Sequence, residues 1–83
     1  MSDISATFKN NYSESRHWVI QDQGRDPNSP PTIFDGYLEP DQSTSTLALY
    51  SSDGVYGRAA YQRSDGAVTI ADSITDGSEV SME

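Results

Sequence analysis

The stretch YSSDGVYGRAAYQRSDGAV, residues 50–68, sets the fold class of this chain. The tripeptide Ser-Asp-Gly occurs twice in it, at 52–54 and at 64–66, with alternating apolar residues between the two copies. Asp-Gly is favoured at the positive-φ positions of a type I′ turn, whose twist matches that of two antiparallel strands. We therefore expect three strands, joined by two similar turns, that form a meander.

Period-two alternation continues on both sides of that stretch. Ile4, Ala6 and Phe8 share one face of the segment ISATFK, and Trp18 shares a face with Ile20 in RHWVIQD. Apolar residues recur at the same spacing in segments 47–49, 55–61, 68–70 and 80–82. A repeat of two residues indicates strands with one buried face. With a further strand at 32–38, the sequence predicts about seven short strands.

The segment QDQGRDPNSPP, residues 21–31, is the one long irregular stretch, because its glycine and prolines oppose regular structure. Such a segment can cross from one sheet to another. Short strands with frequent turn signals predict an all-β fold, a small antiparallel β-sandwich, with a small β-barrel as the alternative. We expect a single β-sandwich domain over residues 1–83.

The charge of the chain is strongly negative. Thirteen Asp and Glu oppose five Lys and Arg, the formal net charge is -8, and no basic residue follows Arg63. An acidic field repels phosphate backbones, so the composition argues against direct nucleic-acid binding. The charge suits a basic protein as partner, and solubility alone is the alternative explanation.

The chain has no cysteine, so disulfides cannot supplement the thin core of a domain of 83 residues. Self-association could supplement the thin core, so a homo-oligomer is one expectation. The sequence shows no signal peptide and no apolar run that approaches a membrane span. The cytoplasm is the default expectation, although nothing in the sequence assigns a compartment.

The sequence lacks the patterns that accompany catalysis. His17 is the single histidine, and neither a nucleophile elbow, a phosphate-binding loop nor a zinc-binding H-E-x-x-H motif occurs. We predict a protein that is not an enzyme, without catalytic residues or cofactor. We assign no metal site; Asp22 and Asp26 are the nearest candidates for calcium, but each Asp-Gly loop offers a single carboxylate.

The aromatic residues are the strongest remaining indication of binding, and packing in the core or on a half-buried sheet face is the alternative. Tyr and Trp combine a large contact area with a polar group and are enriched at interfaces. The candidate binding residues are Trp18, Tyr37, Tyr50, Tyr56 and Arg58. The alternation places Tyr56 and Arg58 on one face, with Tyr50 nearby across the turn. We also expect Ile33, Phe34, Tyr37 and Leu38 to form an exposed apolar patch.

Three functions are compatible with these features. The first is a non-enzymatic interaction protein, such as an inhibitor or accessory factor, that engages a protein partner through an acidic, Tyr-rich surface. The second is a carbohydrate- or lipid-binding module that uses Trp18 and the tyrosines as stacking platforms. The third is a structural subunit whose strand edges pair with other copies of the chain.

Overall fold

The computed structural model describes residues 2–26, 28–63 and 66–82, and these residues form seven β-strands. The strands are β1 (Ser2–Asn10), β2 (Arg16–Asp22), β3 (Thr32–Leu38), β4 (Leu47–Ser51), β5 (Tyr56–Gln62), β6 (Val68–Thr75) and β7 (Ser78–Met82). Among the described residues, no helix has the length and apolar character needed to span a membrane.

The strands form two sheets. Sheet A has the order β4-β1-β7 and sheet B the order β3-β2-β5-β6. Neighbouring strands are antiparallel except for β1 and β7, which run parallel. Within the described ranges each outer strand has a single hydrogen-bonded neighbour, so neither sheet closes on itself. The predicted β-sandwich is confirmed, and the alternative barrel is not formed.

The core lies between the two sheets and follows the alternation of the sequence. The predicted inward residues of β1 are buried, and Trp18 and Ile20 of β2 are fully buried opposite them. The core cluster consists of Ile4, Ala6, Phe8, Trp18, Ile20, Leu38, Leu49, Ala59, Tyr61, Ile74 and Met82. Every strand contributes at least one residue, as expected where two half-apolar sheets bury their inner faces against each other.

The expected meander is wrong at its first turn. β5 and β6 pair in sheet B as predicted, but β4 pairs with β1, so residues 52–55 carry the chain from sheet A to sheet B. Among the described non-glycine residues only Asp41 and Ser73 have a positive φ. Asp53 therefore does not form a type I′ turn with Gly54. Its carboxylate instead accepts hydrogen bonds from the backbone N–H groups of Val55 and Tyr56, at 2.9 and 3.0 Å.

The other Asp-Gly pairs also have different roles. Asp35-Gly36 lies inside β3, and Asp76-Gly77 takes the chain from sheet B back to sheet A. In the second Ser-Asp-Gly copy, Ser64 and Asp65 lie outside the described residues. The hairpin around them is closed by Arg63 N–H donating to the Ala67 carbonyl at 2.9 Å. An Asp-Gly pair in this chain therefore specifies neither one kind of turn nor, at residues 35–36, a turn at all.

A β-bulge divides β6 into two halves that bury opposite faces. Between its pairs with Gly57 and Ala59, β6 holds one more residue than β5. An extra residue reverses the direction of every side chain beyond it. Val68 and Ile70 therefore point away from sheet A and are 56% and 42% exposed, whereas Ile74 points inward and is 5% exposed.

The apolar patch expected at residues 33–38 is mostly part of the core. Leu38 is buried, and Ile33 and Phe34 pack against the buried cluster. Of the four residues, Tyr37 alone is exposed. The prediction failed because β3 is an edge strand of sheet B whose inner face is still covered by sheet A.

Candidate functional site

A surface pocket of ≈ 210 Å³ opens where β4 of sheet A meets β5 of sheet B. Its lining consists of Gly24, Tyr50, Ser52, Tyr56, Gly57, Arg58 and Asp72. Three of the five predicted binding residues, Tyr50, Tyr56 and Arg58, lie in this lining. They come from two strands that the sheet-to-sheet connection at residues 52–55 brings together.

The turn between β4 and β5 holds Tyr56 in place. Asp53 Oδ1 accepts the backbone N–H groups of Tyr56 and Val55, and Ser51 Oγ lies 2.9 Å from the same oxygen and 2.7 Å from the Tyr56 carbonyl. The backbone hydrogen bonds from Tyr56 and Val55, followed by the Ser51 hydroxyl, lower the pKa of Asp53 to about 2. The ionised carboxylate therefore fixes the backbone from which the Tyr56 ring projects.

A buried carboxylate at the end of β2 holds Tyr50. Asp22 is fully buried, and its Oδ2 accepts the Tyr50 N–H at 3.0 Å and the Arg25 Nε–H at 3.1 Å. Arg25 also bonds to Asp3 at 3.2 Å, and its guanidinium lies 5.6 Å from the centroid of the Tyr50 ring. The hydrogen bond to Asp22 raises the pKa of Arg25, so the cation beside the ring stays charged.

Two glycines permit the close approach of the elements around the pocket. Gly24 donates to the Arg58 carbonyl at 3.1 Å, and a Cβ at this position would lie 3.2 Å from the Tyr50 carbonyl oxygen. A Cβ on Gly57 would lie 2.8 Å from Ile4 Cδ1. A side chain at position 24 would press on the Tyr50 carbonyl and move the loop after β2 away from β4, and a side chain at position 57 would displace the Ile4 side chain in the core.

Arg58 differs from the other basic residues because its guanidinium has no partner within the part of the chain that the structure describes. The other basic side chains are engaged: Lys9 with Asp41, Arg16 with Glu14, Arg25 with Asp22 and Asp3, and Arg63 with the Tyr12 hydroxyl. Arg58 and Asp72 both line the pocket, yet no ion pair within 4 Å joins these two described residues. The lining of the pocket therefore includes an arginine and a carboxylate that are not bonded to each other.

The remaining predicted binding residues lie elsewhere. Trp18 is fully buried between the sheets, with its ring 5.9 Å from Tyr12 and 5.8 Å from Tyr61, so its surface is covered by protein. Tyr37 is 75% exposed but pairs with His17 near the start of β2, whereas Arg58 lies at the opposite end of the same sheet. The five candidates therefore do not form one surface.

The two calcium candidates are engaged in bonds within the chain. Asp26 Oδ1 accepts the N–H groups of Asn28 and Ser29, at 3.1 and 3.2 Å, as in an ordinary Asp-initiated turn. Arg25 lies between Asp22 and Asp3, where a metal ion would need to bind both carboxylates. No cluster of three or more metal-ligating side chains occurs among residues 2–26, 28–63 and 66–82.

Sequence reasoning missed Gly24, Ser52, Gly57 and Asp72 as parts of the site. Ser52 is next to the Asp-Gly signal, and its position after β4 could have suggested it. Asp72 could not be predicted, because its position at the pocket depends on the bulge in β6, and no sequence pattern indicates that bulge. Gly24 belongs to the irregular segment whose path could not be inferred.

No protein-family model matches this chain, and no curated protein and no solved structure matches it either. The features of the chain that bear on its function are the geometry of the pocket and the net charge.

Proposed function

We propose that this protein is a non-enzymatic binding domain that engages a protein partner by accepting one of its side chains between Tyr50, Tyr56 and Arg58. The observation that carries this proposal is the meeting of two tyrosines and an unpaired arginine around one pocket. Tyrosine and arginine are the residue types that most often dominate binding energy at protein interfaces.

The size of the pocket favours a side chain over a larger ligand. Pockets for small molecules and cofactors usually enclose about 300–1,000 Å³. The volume here is ≈ 210 Å³, which suits a single side chain inserted from an opposing surface. The rest of the contact would then form on the sheet faces around the pocket.

The chemistry of the lining narrows the choice of side chain. The tyrosine rings supply flat contact surfaces, Arg58 supplies hydrogen-bond donors, and Asp72 supplies an acceptor. A planar, uncharged side chain with a polar edge, such as Gln, Asn or Tyr, satisfies both polar groups. Because Arg58 is bound to no other described residue, such a ligand displaces no internal ion pair.

The charge of the chain defines what should surround the inserted side chain. A net charge of -8 attracts basic surfaces over a long range and accelerates their association. Arg58 opposes the entry of Lys or Arg into the pocket itself. We therefore propose a partner segment in which a planar neutral residue is flanked by basic residues.

A selection from a displayed library of random short peptides tests this function directly. We expect the selected peptides to share a planar neutral residue with Lys or Arg on either side. Arg58→Gln and Tyr56→Ser should each weaken their binding by about 30-fold, equivalent to about 2 kcal/mol. Tyr37→Ser is the control, since it removes another exposed tyrosine ring, at the other end of sheet B.

Peptides that bind the Arg58→Gln and Tyr56→Ser variants as well as the wild type would contradict the proposed site. The carbohydrate alternative loses Trp18 as a platform but keeps the two tyrosines, so a panel of monosaccharides is titrated in parallel. If no peptide is selected and a sugar changes the NMR amide chemical shifts of Gly24 and Gly57, the ligand of the pocket is a glycan and not a protein.

A further inference from the structure

The first half of β6 lies at the edge of sheet B and is largely exposed, although Ala71 at its end packs against the core cluster. Thr69 pairs with Tyr61 and so points to the side of sheet A, yet it is exposed. Val68 and Ile70 point the other way and are also exposed. An edge strand that exposes β-branched apolar residues is a template for pairing with another strand.

The other sheet edges are protected. The Tyr50 N–H of β4 is bonded to the Asp22 carboxylate, and Gly24 packs against the Tyr50 carbonyl. β3 is flanked by prolines, has an irregular register and carries Asp35. β7 is short and carries Glu79. Prolines, charges and bulges are the usual means of preventing edge pairing. In β6 the charge of Asp72 and the bulge lie in the second half of the strand, and residues 68–71 have none of these features.

We propose that two copies of this chain pair through the edges of β6 to form a continuous antiparallel sheet, with Thr69 on the two-fold axis. This proposal does not depend on the function of the pocket. A second copy is the occupant that the segment itself fits, because an uncharged strand with an aliphatic residue on each side of Thr69 is complementary to itself in the antiparallel direction. Two chains with a net charge of -8 repel each other almost everywhere, but segment 67–71 is uncharged and includes the most accessible aliphatic residues of β6.

A two-fold axis at Thr69 gives the register in which aliphatic residues lie opposite aliphatic residues and Asp72 faces no apolar side chain. Opposite residues in an antiparallel pair share a face, so a symmetric pair must be centred on a residue. With Thr69 on the axis, Val68 of each copy lies opposite Ile70 of the other on the outer face. Asp72 then lies opposite Gly66. Centring on Ile70 would instead place Asp72 beside Val68 of the second copy.

Cysteine cross-linking tests the register. The chain contains no cysteine, so Thr69→Cys introduces a single thiol. Opposite Cα atoms in an antiparallel pair are about 4.5–5.5 Å apart, which a disulfide can span. Under mild oxidation we expect Thr69→Cys to form covalent dimers about tenfold faster or more than Thr32→Cys, an exposed threonine on β3 at the other edge of the sheet.

The solution mass across a dilution series tests the interface without cross-linking. The wild type should dimerise as concentration rises, and more strongly as salt screens the repulsion between the two acidic chains. Ile70→Lys should raise the dissociation constant about tenfold or more, and Tyr37→Lys should leave it unchanged. The emission of the buried Trp18 reports whether each variant is folded.

Two results would overturn the proposal. One is a wild-type mass that stays at one chain at the highest concentration reached. The other is cross-linking of Thr69→Cys that is no faster than that of Thr32→Cys, which would place any dimer on a different surface.

Discussion

β2 and β6 have the same kind of alternating sequence, yet they bury very different fractions of their apolar residues. Trp18 and Ile20 are fully buried in β2, whereas Val68 and Ile70 in β6 are 56% and 42% exposed. β2 lies inside sheet B with sheet A opposite, and β6 lies at the edge. The bulge in β6 turns the face that carries Val68 and Ile70 away from sheet A, whereas Ile74 on the same edge strand is buried. Alternation therefore identifies residues that share a face, but it does not show the bulge that decides whether this face points to the other sheet.

The largest effect should come from the centre of β2. Trp18→Ala removes a fully buried ring that touches Tyr12 and Tyr61, and such truncations cost about 3–5 kcal/mol. In a domain of this size that loss should approach or exceed the whole free energy of unfolding. Urea denaturation followed by circular dichroism measures it. A fully folded variant with an unchanged midpoint would show that the two sheets can repack around the cavity.

The same substitution, Ile→Ala, can be made at Ile74 and at Ile70 to compare the stability contributed by the two halves of β6. Ile74→Ala should cost about 2–5 kcal/mol, because its side chain is 5% exposed. Ile70→Ala should change the free energy of unfolding by about 0.5 kcal/mol or less at dilutions that keep the chain monomeric. Equal losses in chemical denaturation would mean that the bulge does not reverse the faces of β6.

Asp22 and Asp72 extend the comparison to charged residues of the same two strands. Asp22→Ala leaves the Tyr50 N–H without its acceptor and takes a carboxylate from Arg25, so we expect a loss of about 1–3 kcal/mol. Asp72→Ala, at an exposed position, should stay within about 0.5 kcal/mol of the wild type. Urea midpoints give both values, and a larger loss for Asp72→Ala would contradict the assignment of Asp22 as the buried anchor.

The connection between the sheets should respond to acid. The folded-state pKa of Asp53 is about 2, below that of the same group in the unfolded chain, so its ionised form favours the folded state. This contribution is complete above about pH 4 and is lost as the pH falls through about 2. Asp53→Asn keeps an acceptor oxygen without the charge and should show a smaller loss of stability in this window. If the wild type and Asp53→Asn lose stability identically as the pH falls, Asp53 does not cause the loss of stability in acid.

Much of the fold could be predicted because strand alternation is a local property. The inward positions Ile4, Phe8 and Ile20 follow from spacing alone, and the strand at 32–38 has the observed bounds. The sheet to which each strand belongs depends on long-range pairing, and for this reason the meander failed. An Asp-Gly pair allows a reversal of the chain, but it does not say whether the next strand returns to the same sheet.

The candidate site was predictable where neighbours in sequence form it. Tyr50, Tyr56 and Arg58 flank one turn, and the structure brings them together. Trp18 was misplaced because its residue type, which is enriched at interfaces, was given more weight than the face of β2 that it shares with the buried Ile20. Asp72 was missed because a bulge, set by packing of β6 against β5, determines where its side chain projects.

The central strand of sheet A also constrains the order of folding. β1 pairs with β4 and β7 and with no strand that immediately follows it, and Ser5 N–H donates to Asp76 Oδ1 across a separation of 71 residues. The hairpins β2–β3 and β5–β6 close short loops and can form early, whereas sheet A requires long loops to close first. The apolar face of β1 therefore stays unpaired until late in folding, which makes this strand the most exposed to misassembly while the chain is being synthesised.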